Sequence, residues 1–254
     1  MWFYREDRTR PVFTSADQVQ SELDETGPLS LPETAILLYM NGEEFIHEHY
    51  VTETITSHFP RFLRPCPITR IRGKTDICFL DGGRGAPMAA DTLETLHALG
   101  VKNVISVGMI GAFVKQMQIG DIVIPDRAYV EEGTSLHYYE SIAYSQPDPV
   151  LFEKLVKQMP AAHIASIVST DAVYRQTFYK EALWRAQGCV GVDMETSALL
   201  SVGQYCKMHV ASVLMVSDKH PLSETEAPWE WHMTPELRQK LLSYVIDFAL
   251  SLSR

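Results

Sequence analysis

The sequence predicts an α/β protein, a three-layer α/β/α domain with a mixed central sheet. Two observations lead to this prediction. First, short apolar runs of strand length alternate along the chain with longer amphipathic segments of helical length. Such an alternation is typical of a sheet that helices cover on both faces. Second, the chain has 254 residues, which is enough to bury the large core of such a domain.

The beginning of the chain differs from the rest. Residues 1–32 contain no clear periodic pattern and end at Gly27, Pro28 and Pro32, which are typical of a loop. We therefore expect residues 1–32 to form an N-terminal extension and residues 33–254 to form the domain. The first ten residues, MWFYREDRTR, mix both charges and lack the apolar centre of a signal peptide, so we expect a cytoplasmic protein.

The predicted elements follow one another in a regular order. Apolar runs predict strands at residues 35–40, 76–82, 101–108, 163–171 and 210–218. Amphipathic spacing predicts helices at residues 43–55, 86–100, 192–208 and 234–252, the last with Thr234 as its N-cap. The predicted loops include the glycine-rich GGRGAP at 82–87, the segment with Gly108 and Gly111, and part of the extended stretch 120–139.

Charge and cysteine usage exclude several classes of function. The net charge of −10, from 22 Lys plus Arg against 32 Asp plus Glu, argues against a surface for nucleic acid or anionic membranes. No apolar run reaches the roughly 18 residues of a membrane span. The cysteines are widely spaced and form no CxxC pair, which favours four buried free thiols over disulfides or a zinc site: Cys66, Cys78, Cys189 and Cys206.

A buried strand that ends in charged residues is the first candidate for a site. The stretch VLMVSDKHP, residues 213–221, runs from five uncharged residues into Asp218, Lys219 and His220. One interpretation is that the strand reaches the surface there and its polar end is solvated. The other is that a ligand binds there, because ligands of open α/β sheets bind beyond the carboxyl ends of strands.

A second candidate site is the start of the helix predicted from residue 192. Asp193, Met194 and Glu195 lie in its predicted first turn, where acids usually complement the helix dipole at the surface. The apolar residues that follow place this turn beside the core instead, where Glu195 could accept hydrogen bonds from the vicinal hydroxyls of a sugar. The bare backbone at Gly108 and Gly111 could approach an anion or a base closely.

Three longer segments resemble a known family. SVGMIGAFVKQMQIGDIVIPDRAYVEEGTSLHYY, GVDMETSALL and VLMVSD are similar in order and spacing to the nucleoside phosphorylase family. That family includes uridine phosphorylase, hexameric purine nucleoside phosphorylase and the methylthioadenosine nucleosidases. The resemblance covers roughly residues 33–252, and EGTSLHY is closest to the uridine phosphorylase branch. It implies a phosphorylase-type fold, cleavage of an N-glycosidic bond, and a homo-oligomer built as a dimer or a trimer of dimers. It implies no metal and no organic cofactor, with phosphate as co-substrate of a phosphorylase.

The resemblance also implies roles for individual residues. Glu195 corresponds to the glutamate that holds the ribose hydroxyls, and Met194 to the methionine that packs on the sugar. Asp218 corresponds to the aspartate that protonates or hydrogen-bonds a purine at N7, which favours a purine over a pyrimidine. The remaining implied nucleoside-binding positions are Val173 and Tyr174, which line the base, with Asp193, Met109 and Gly111. Arg175 and Gln176 are a counter-signal, because they lie near the base-reading pair of the uridine branch.

The phosphate site departs from the family pattern. Gly42 corresponds to the glycine of the phosphate loop, but Ile46, Ser106 and Met109 stand where phosphorylases have two arginines and a serine. A dianion without paired cations is costly in a half-buried site. Arg84, or Arg61 and Arg64 of a neighbouring subunit, could replace the missing cations, so the predicted phosphate-binding residues are Gly42, Ser106, Arg84 and Arg64.

Two alternatives to phosphorolysis therefore stay open. In the hydrolytic branch a glutamate after the first strand holds the attacking water, and Glu44 is the best match here. Glu43 and Glu44 could equally be an ordinary acidic pair in a first helical turn. The second alternative is a catalytically silent member that binds or stores a nucleoside. We predict phosphorolysis first, with Asp218 and Glu44 as the candidate catalytic residues.

Overall fold

The structure is a computed structural model that describes residues 3–252. Its helices are α1 (Ser15–Thr26), α2 (Glu43–His49), α3 (Ala86–Ala98), α4 (Ser135–Tyr138), α5 (Pro149–Gln158), α6 (Phe178–Ala186), α7 (Thr196–Tyr205) and α8 (Pro235–Leu252). Its strands are β1 (Thr34–Leu38), β2 (Thr52–Thr56), β3 (Ile68–Ile71), β4 (Ile77–Asp81), β5 (Asn103–Ala112), β6 (Ile122–Glu131), β7 (Tyr144–Ser145), β8 (His163–Thr170), β9 (Cys189–Asp193), β10 (His209–Lys219) and β11 (Glu230–Trp231). A short 3₁₀ turn spans Val173–Arg175.

The strands join in one mixed sheet, which confirms the predicted fold class. Its order is β11-β10-β6-β8-β9-β5-β1-β4-β3-β2, with β7 paired to β6. Strand β10 also pairs in parallel with β5, so that β5, β10, β6, β8 and β9 close into a ring. The sequence did not predict this closure, because pairing between distant strands leaves no local pattern.

Alternate residues of the central strands pack into two separate cores. In β1 and the residues after it, Ala35, Leu37 and Tyr39 face a core that α3 and α7 cover, with Leu93 and Leu199 among its members. Ile36, Leu38 and Met40 face the opposite core, which α2, α5 and α8 cover: Phe45, Leu155, Val245 and Phe248 are among its members. A strand buried on both faces needs apolar residues at every position, which explains its unbroken apolar run.

The N-terminal extension predicted over residues 1–32 contains α1, which starts with a capping box between Thr14 and Asp17; a short helix of low mean hydropathy has little periodicity to detect in the sequence. Three local predictions were wrong. The helix predicted over 43–55 ends at His49, and its second half is β2, since β-branched residues dominate there. Gly108 and Gly111 lie inside β5 and not in a loop, because β5 continues to Ala112. Asp193 ends β9, and α7 begins only at Thr196.

Two bulk predictions concern cysteines and membranes. The four cysteines are free and buried, as predicted. Within residues 3–252, none of the helices combines the length and the apolar character that crossing a bilayer requires.

Candidate functional site

A cavity of about 500 Å³ opens at the carboxyl ends of β5 and β10. Its wall includes the residue after β1, the loop between β4 and α3, the turn Val173–Arg175, part of α6, the end of β9, and the segment from β10 to β11. This volume lies within the range of about 300–1,000 Å³ that is usual for small-molecule sites. The sheet therefore forms a ligand-sized cavity where its parallel strands end.

Glu195 lies in the wall of this cavity, one residue before α7. Its Oε1 accepts a hydrogen bond of 2.7 Å from the backbone N–H of Gly85, in the loop between β4 and α3. Burial and the nearby charge of Asp193 raise the pKa of Glu195 to about 7. Glu195 is therefore a carboxyl group in the cavity wall that the backbone of Gly85 holds in place.

Asp193 reaches the same wall but is bound by the protein itself. Its carboxylate accepts hydrogen bonds from Ser169 Oγ (2.5 Å), Thr196 Oγ1 (2.5 Å) and the backbone N–H of Thr196 (3.1 Å). Burial raises the pKa of Asp193 even so. The side chain joins β8, β9 and the first turn of α7, and this contact fixes the segment that carries Glu195.

Asp218 stands near the end of β10, where the register with β5 shifts between Val216 and Asp218. Such an irregularity changes the direction of a side chain, and here the side chain of Asp218 lines the cavity. Its Oδ1 accepts from Ser217 Oγ (2.5 Å) and its Oδ2 accepts from Trp229 Nε1 (2.5 Å). Burial alone would raise the pKa of Asp218, but hydrogen bonds from His220, Ser217 and Trp229 outweigh burial and lower it. Asp218 is therefore ionised at neutral pH.

His220 lies between two carboxylates. Its Nδ1 is 2.6 Å from Glu181 Oε1 on α6, and its Nε2 is 3.3 Å from Asp218 Oδ2. Burial would lower the pKa of His220, but the bonds and charges of Asp218 and Glu181 raise it to about 9. The imidazole is therefore protonated at neutral pH. All three side chains line the cavity.

Gly111 makes room for this arrangement. A Cβ atom at position 111 would lie 2.3 Å from His220 Nε2 and 3.1 Å from Asp218 Oδ2. Any side chain there would displace the imidazole, so only glycine allows β5 to pass so close to the pair.

Aromatic side chains border the polar groups. Tyr174, Phe178, Trp229 and Trp231 all line the cavity and all are partly exposed, Tyr174 most of all. Planar apolar faces next to convergent polar groups suit a planar heterocycle, which can stack on the rings while its edge meets the polar atoms.

The profile of the Phosphorylase superfamily matches residues 41–245, which are most of the chain and include all of the cavity wall except Tyr39. The chain belongs to this superfamily. A guanosine phosphorylase of Halorubrum lacusprofundi is 29% identical over 150 residues, which cover 56% of this chain and 61% of that protein. A DeoD-type purine nucleoside phosphorylase of Clostridium beijerinckii is 27% identical over 151 residues, which cover 56% of this chain and 62% of that protein. The chain thus spans less than two thirds of the length of either relative.

A solved structure agrees on the fold. The crystal structure of an AMP nucleosidase from Bacteroides thetaiotaomicron matches with a TM-score of 0.68 at 21% sequence identity. The match covers 94% of this chain and 100% of that chain. Similarity at this identity shows a common architecture, so the two chains share one fold over nearly all of this chain.

Most residues that the superfamily resemblance singled out meet in the cavity. Those that line it are Arg84, Met109, Gly111, Val173, Tyr174, Asp193, Met194, Glu195 and Asp218. Gln176 also lines the cavity, whereas Arg175 is exposed outside its wall. The fold thus brings together side chains that are far apart in the sequence, such as Arg84 and Asp218, which are about 130 residues apart.

Other predicted residues lie elsewhere. Gly42 packs against the core, since a Cβ there would be 2.9 Å from Leu38 Cδ1. Glu44 is exposed on the first turn of α2, and Arg64 is exposed in the loop before β3. Ser106 is buried inside β5, where its Oγ donates to Ser212 Oγ at 2.6 Å. Within residues 3–252, none of these four belongs to the cavity wall.

Arg61 is buried instead of reaching outward to a neighbouring subunit. Its guanidinium donates to the carbonyl oxygens of Arg64 and Asp81 and to Thr92 Oγ1. It therefore anchors the segment between β2 and β3 to α3. Of the three arginines considered for phosphate, Arg84 is the one in the wall of the cavity.

Sequence reasoning named His220 at the end of a strand without giving it a role, and it missed Glu181 and Trp229. His220 was visible in the stretch SDKHP, but nothing local showed that Glu181, 39 residues earlier, would meet it. Trp229 reaches Asp218 because β11 folds back antiparallel onto β10, with Trp231 opposite Asp218. Within residues 3–252, no group of three or more His, Cys, Asp and Glu side chains is arranged to hold a metal ion.

Proposed function

We propose that this chain cleaves the N-glycosidic bond of a purine nucleoside, releasing the free base. One observation carries the proposal: a half-buried carboxylate, Glu195, and an acid–base pair, Asp218 with His220, line the same cavity as several aromatic rings. A nucleoside has matching parts, namely a sugar with vicinal hydroxyls and a planar base whose nitrogen must accept a proton.

Glu195 would bind the sugar. Its Oε1 is anchored to Gly85, and a carboxylate can accept hydrogen bonds from both vicinal hydroxyls. Breaking the glycosidic bond develops positive charge on the sugar, which a preorganised carboxylate stabilises. Met194 lies beside Glu195 in the wall and would pack on the sugar.

Asp218 would face the base. It lies next to Trp229 and Trp231, whose rings offer stacking faces for a purine. A carboxylate next to N7 discriminates against pyrimidines, which have no nitrogen at that position. The preference for purines also agrees with the names of the two relatives, both of which are phosphorylases of purine nucleosides.

We propose phosphorolysis as the first candidate route, with phosphate attacking the sugar to form a sugar 1-phosphate. The names of the relatives and the position of Arg84 in the cavity wall support it. Loss of the Arg84 contact would weaken phosphate binding by about 1.5–3 kcal/mol, the usual size of a charge-assisted hydrogen bond.

Hydrolysis is a second candidate because of the charge of the cavity. Its wall carries the carboxylates of Glu181, Asp193, Glu195 and Asp218 but only two cations, Arg84 and His220. The raised pKa values of Asp193 and Glu195 reduce this negative charge, but whatever charge they keep disfavours a phosphate dianion and favours neutral water as the nucleophile. Glu44, which the sequence predicts as the water-activating base of this route, is exposed on α2 outside the cavity wall.

One assay tests these proposals. Inosine, adenosine, guanosine and uridine are incubated with the protein, with and without phosphate, and the released base and sugar are identified. Sugar 1-phosphate supports phosphorolysis, and free sugar formed without phosphate supports hydrolysis. Hydrolysis that persists in Glu44→Gln would contradict the role of Glu44. Efficient cleavage of uridine with inert purine nucleosides would contradict the purine preference, and binding without cleavage of any nucleoside would favour a silent member.

A further inference from the structure

We propose that His220, held by Glu181, is the proton source for the leaving base and delivers its proton through Asp218. This inference rests on the proposed cleavage of a purine nucleoside, and it names residues that neither the family resemblance nor the motifs of the sequence assign to the reaction.

The geometry forms a continuous path for the proton. Glu181 Oε1, His220 Nδ1, His220 Nε2 and Asp218 Oδ2 follow one another at 2.6 Å and 3.3 Å on either side of the ring. The exposed fractions of the three side chains are 7%, 15% and 6%, so the path is shielded from solvent except where it lines the cavity. Glycine at position 111 removes the side chain that would block the ring.

The charge state explains why Asp218 needs a partner. Asp218 accepts hydrogen bonds at both oxygens, and its lowered pKa leaves it ionised at neutral pH, so it has no proton of its own to give. His220 has a pKa raised to about 9 and carries the proton. The charged groups around the ring are Asp218 from β10, Glu181 from α6, and Arg185 of α6, whose Nη1 is 3.8 Å from Glu181 Oε2.

The step balances without another reactant beyond the nucleophile. As the bond between the sugar C1′ and purine N9 breaks, its electron pair enters the imidazole ring of the base, and N7 takes a proton from Asp218 Oδ2. Asp218, which is ionised before the step, receives this proton from His220 Nε2 as it passes it on to N7, and it is ionised again afterwards. His220 becomes neutral, keeps its contact with Glu181, and is protonated again by solvent once the base has left. Glu181 acts as a positioning residue, because it touches the histidine and not the base.

The test compares two substrates, of which one needs this proton and the other does not. Inosine releases its base only if N7 is protonated, whereas 7-methylinosine is already positively charged and leaves without a proton. In His220→Gln we expect kcat/KM for inosine to fall by about 100-fold or more, the usual contribution of general acid catalysis, while 7-methylinosine keeps nearly its wild-type rate. The rate on 7-methylinosine also reports that the variant is folded.

A matched control lies at the other end of β10. His209 Nδ1 is 2.7 Å from Asp148 Oδ2, the same kind of pair far from the cavity wall. His209→Gln should leave the rates on both substrates unchanged. Glu181→Gln keeps the shape of the site and removes one negative neighbour of His220. The fall of kcat/KM for inosine above about pH 9 in the wild type should therefore move to lower pH in this variant.

The outcomes separate this inference from the proposed function. Equal losses on inosine and 7-methylinosine in His220→Gln would mean a structural role and overturn the inference. So would a wild-type rate on inosine in that variant, or an alkaline limb that Glu181→Gln does not move. If the wild-type protein releases base from neither substrate, the proposed function fails, and the inference fails with it.

Discussion

The two ends of β10 carry the same chemical pair in different surroundings. At its amino end His209 contacts Asp148, and the imidazole is 55% exposed. At its carboxyl end His220 contacts Glu181 and Asp218, and the imidazole is 15% exposed. Asp148 also accepts from the backbone N–H of Leu151 and caps α5, so the first pair belongs to a helix end at the surface. The second pair lines a cavity, where the two carboxylates keep a proton on the ring against the opposing effect of burial.

The comparison shows that the surroundings of an ion pair depend on its position in the sheet. A solvated pair contributes little, because water screens it and competes for both partners. At the carboxyl ends of parallel strands, side chains converge on one cavity and water is largely excluded. The predictions below test whether the carboxyl end of the sheet carries the chemistry and the amino end only stability.

The largest effect is expected at Glu195. Glu195→Ala removes the proposed sugar contact and should reduce the rate of base release by about 100-fold or more, the scale of one misplaced catalytic contact. Glu33 is the control, since it is exposed beside the amino end of β1 and paired with Lys102. Glu33→Ala should keep wild-type kinetics. Wild-type rates in Glu195→Ala would remove the assignment of the sugar site.

The pH dependence of stability should differ between the two histidines. The pKa of His220 rises from 6.5 to about 9 on folding, so its contribution is fully present below about pH 6.5 and is lost as the pH rises through about 9. This shift corresponds to about 3 kcal/mol of unfolding free energy. Urea unfolding of the wild type should show that loss between about pH 6 and about pH 10, which lie on either side of this window.

The matching variants sharpen this result. His220→Gln should lose about 3 kcal/mol less between the two pH values than the wild type, because the titrating group is gone. His209→Gln should follow the wild type, since its exposed pair is screened by solvent. Identical pH dependence in all three proteins would show that His220 is not held by its carboxylates as described.

Gly111→Ala should have a smaller effect on stability. The new methyl group would lie 2.3 Å from His220 Nε2, so the ring must move, at a cost of about 1–3 kcal/mol for overpacking. The alkaline limb of kcat/KM should move to lower pH as His220 separates from Asp218. Gly108→Ala on the same strand is the control. Its Cβ would lie 3.0 Å from Leu214, which costs stability, but the alkaline limb of kcat/KM should not move.

The smallest effect is expected at the amino end of β10. Asp148→Ala removes the N-cap of α5 and should cost about 1 kcal/mol in unfolding free energy, measured by urea titration. The rate of base release should not change, because Asp148 lies outside the cavity wall. A loss of activity in Asp148→Ala as large as that in Glu195→Ala would contradict the proposed difference between the two ends of β10.

The sequence alone predicted the parts of this protein that depend on neighbouring residues. Unbroken apolar runs indicated strands buried on both faces, and β1, β4, β5, β8 and β10 lie at or near the predicted positions. The segments GVDMETSALL and VLMVSD identified Glu195, Met194 and Asp218, all of which line the cavity. These signals are local, because burial pattern and motif spacing are written in consecutive residues.

The tertiary structure decided which distant groups meet. The pairing of β10 with β5 brings Gly111 beside His220, and α6 brings Glu181 to the same ring from 39 residues away. The same topology places Gly42 and Ser106 in the core, although the family resemblance predicted that both would contact phosphate. Such contacts depend on strand order and register, which depend on the packing of the whole chain, so no stretch of neighbouring residues encodes them.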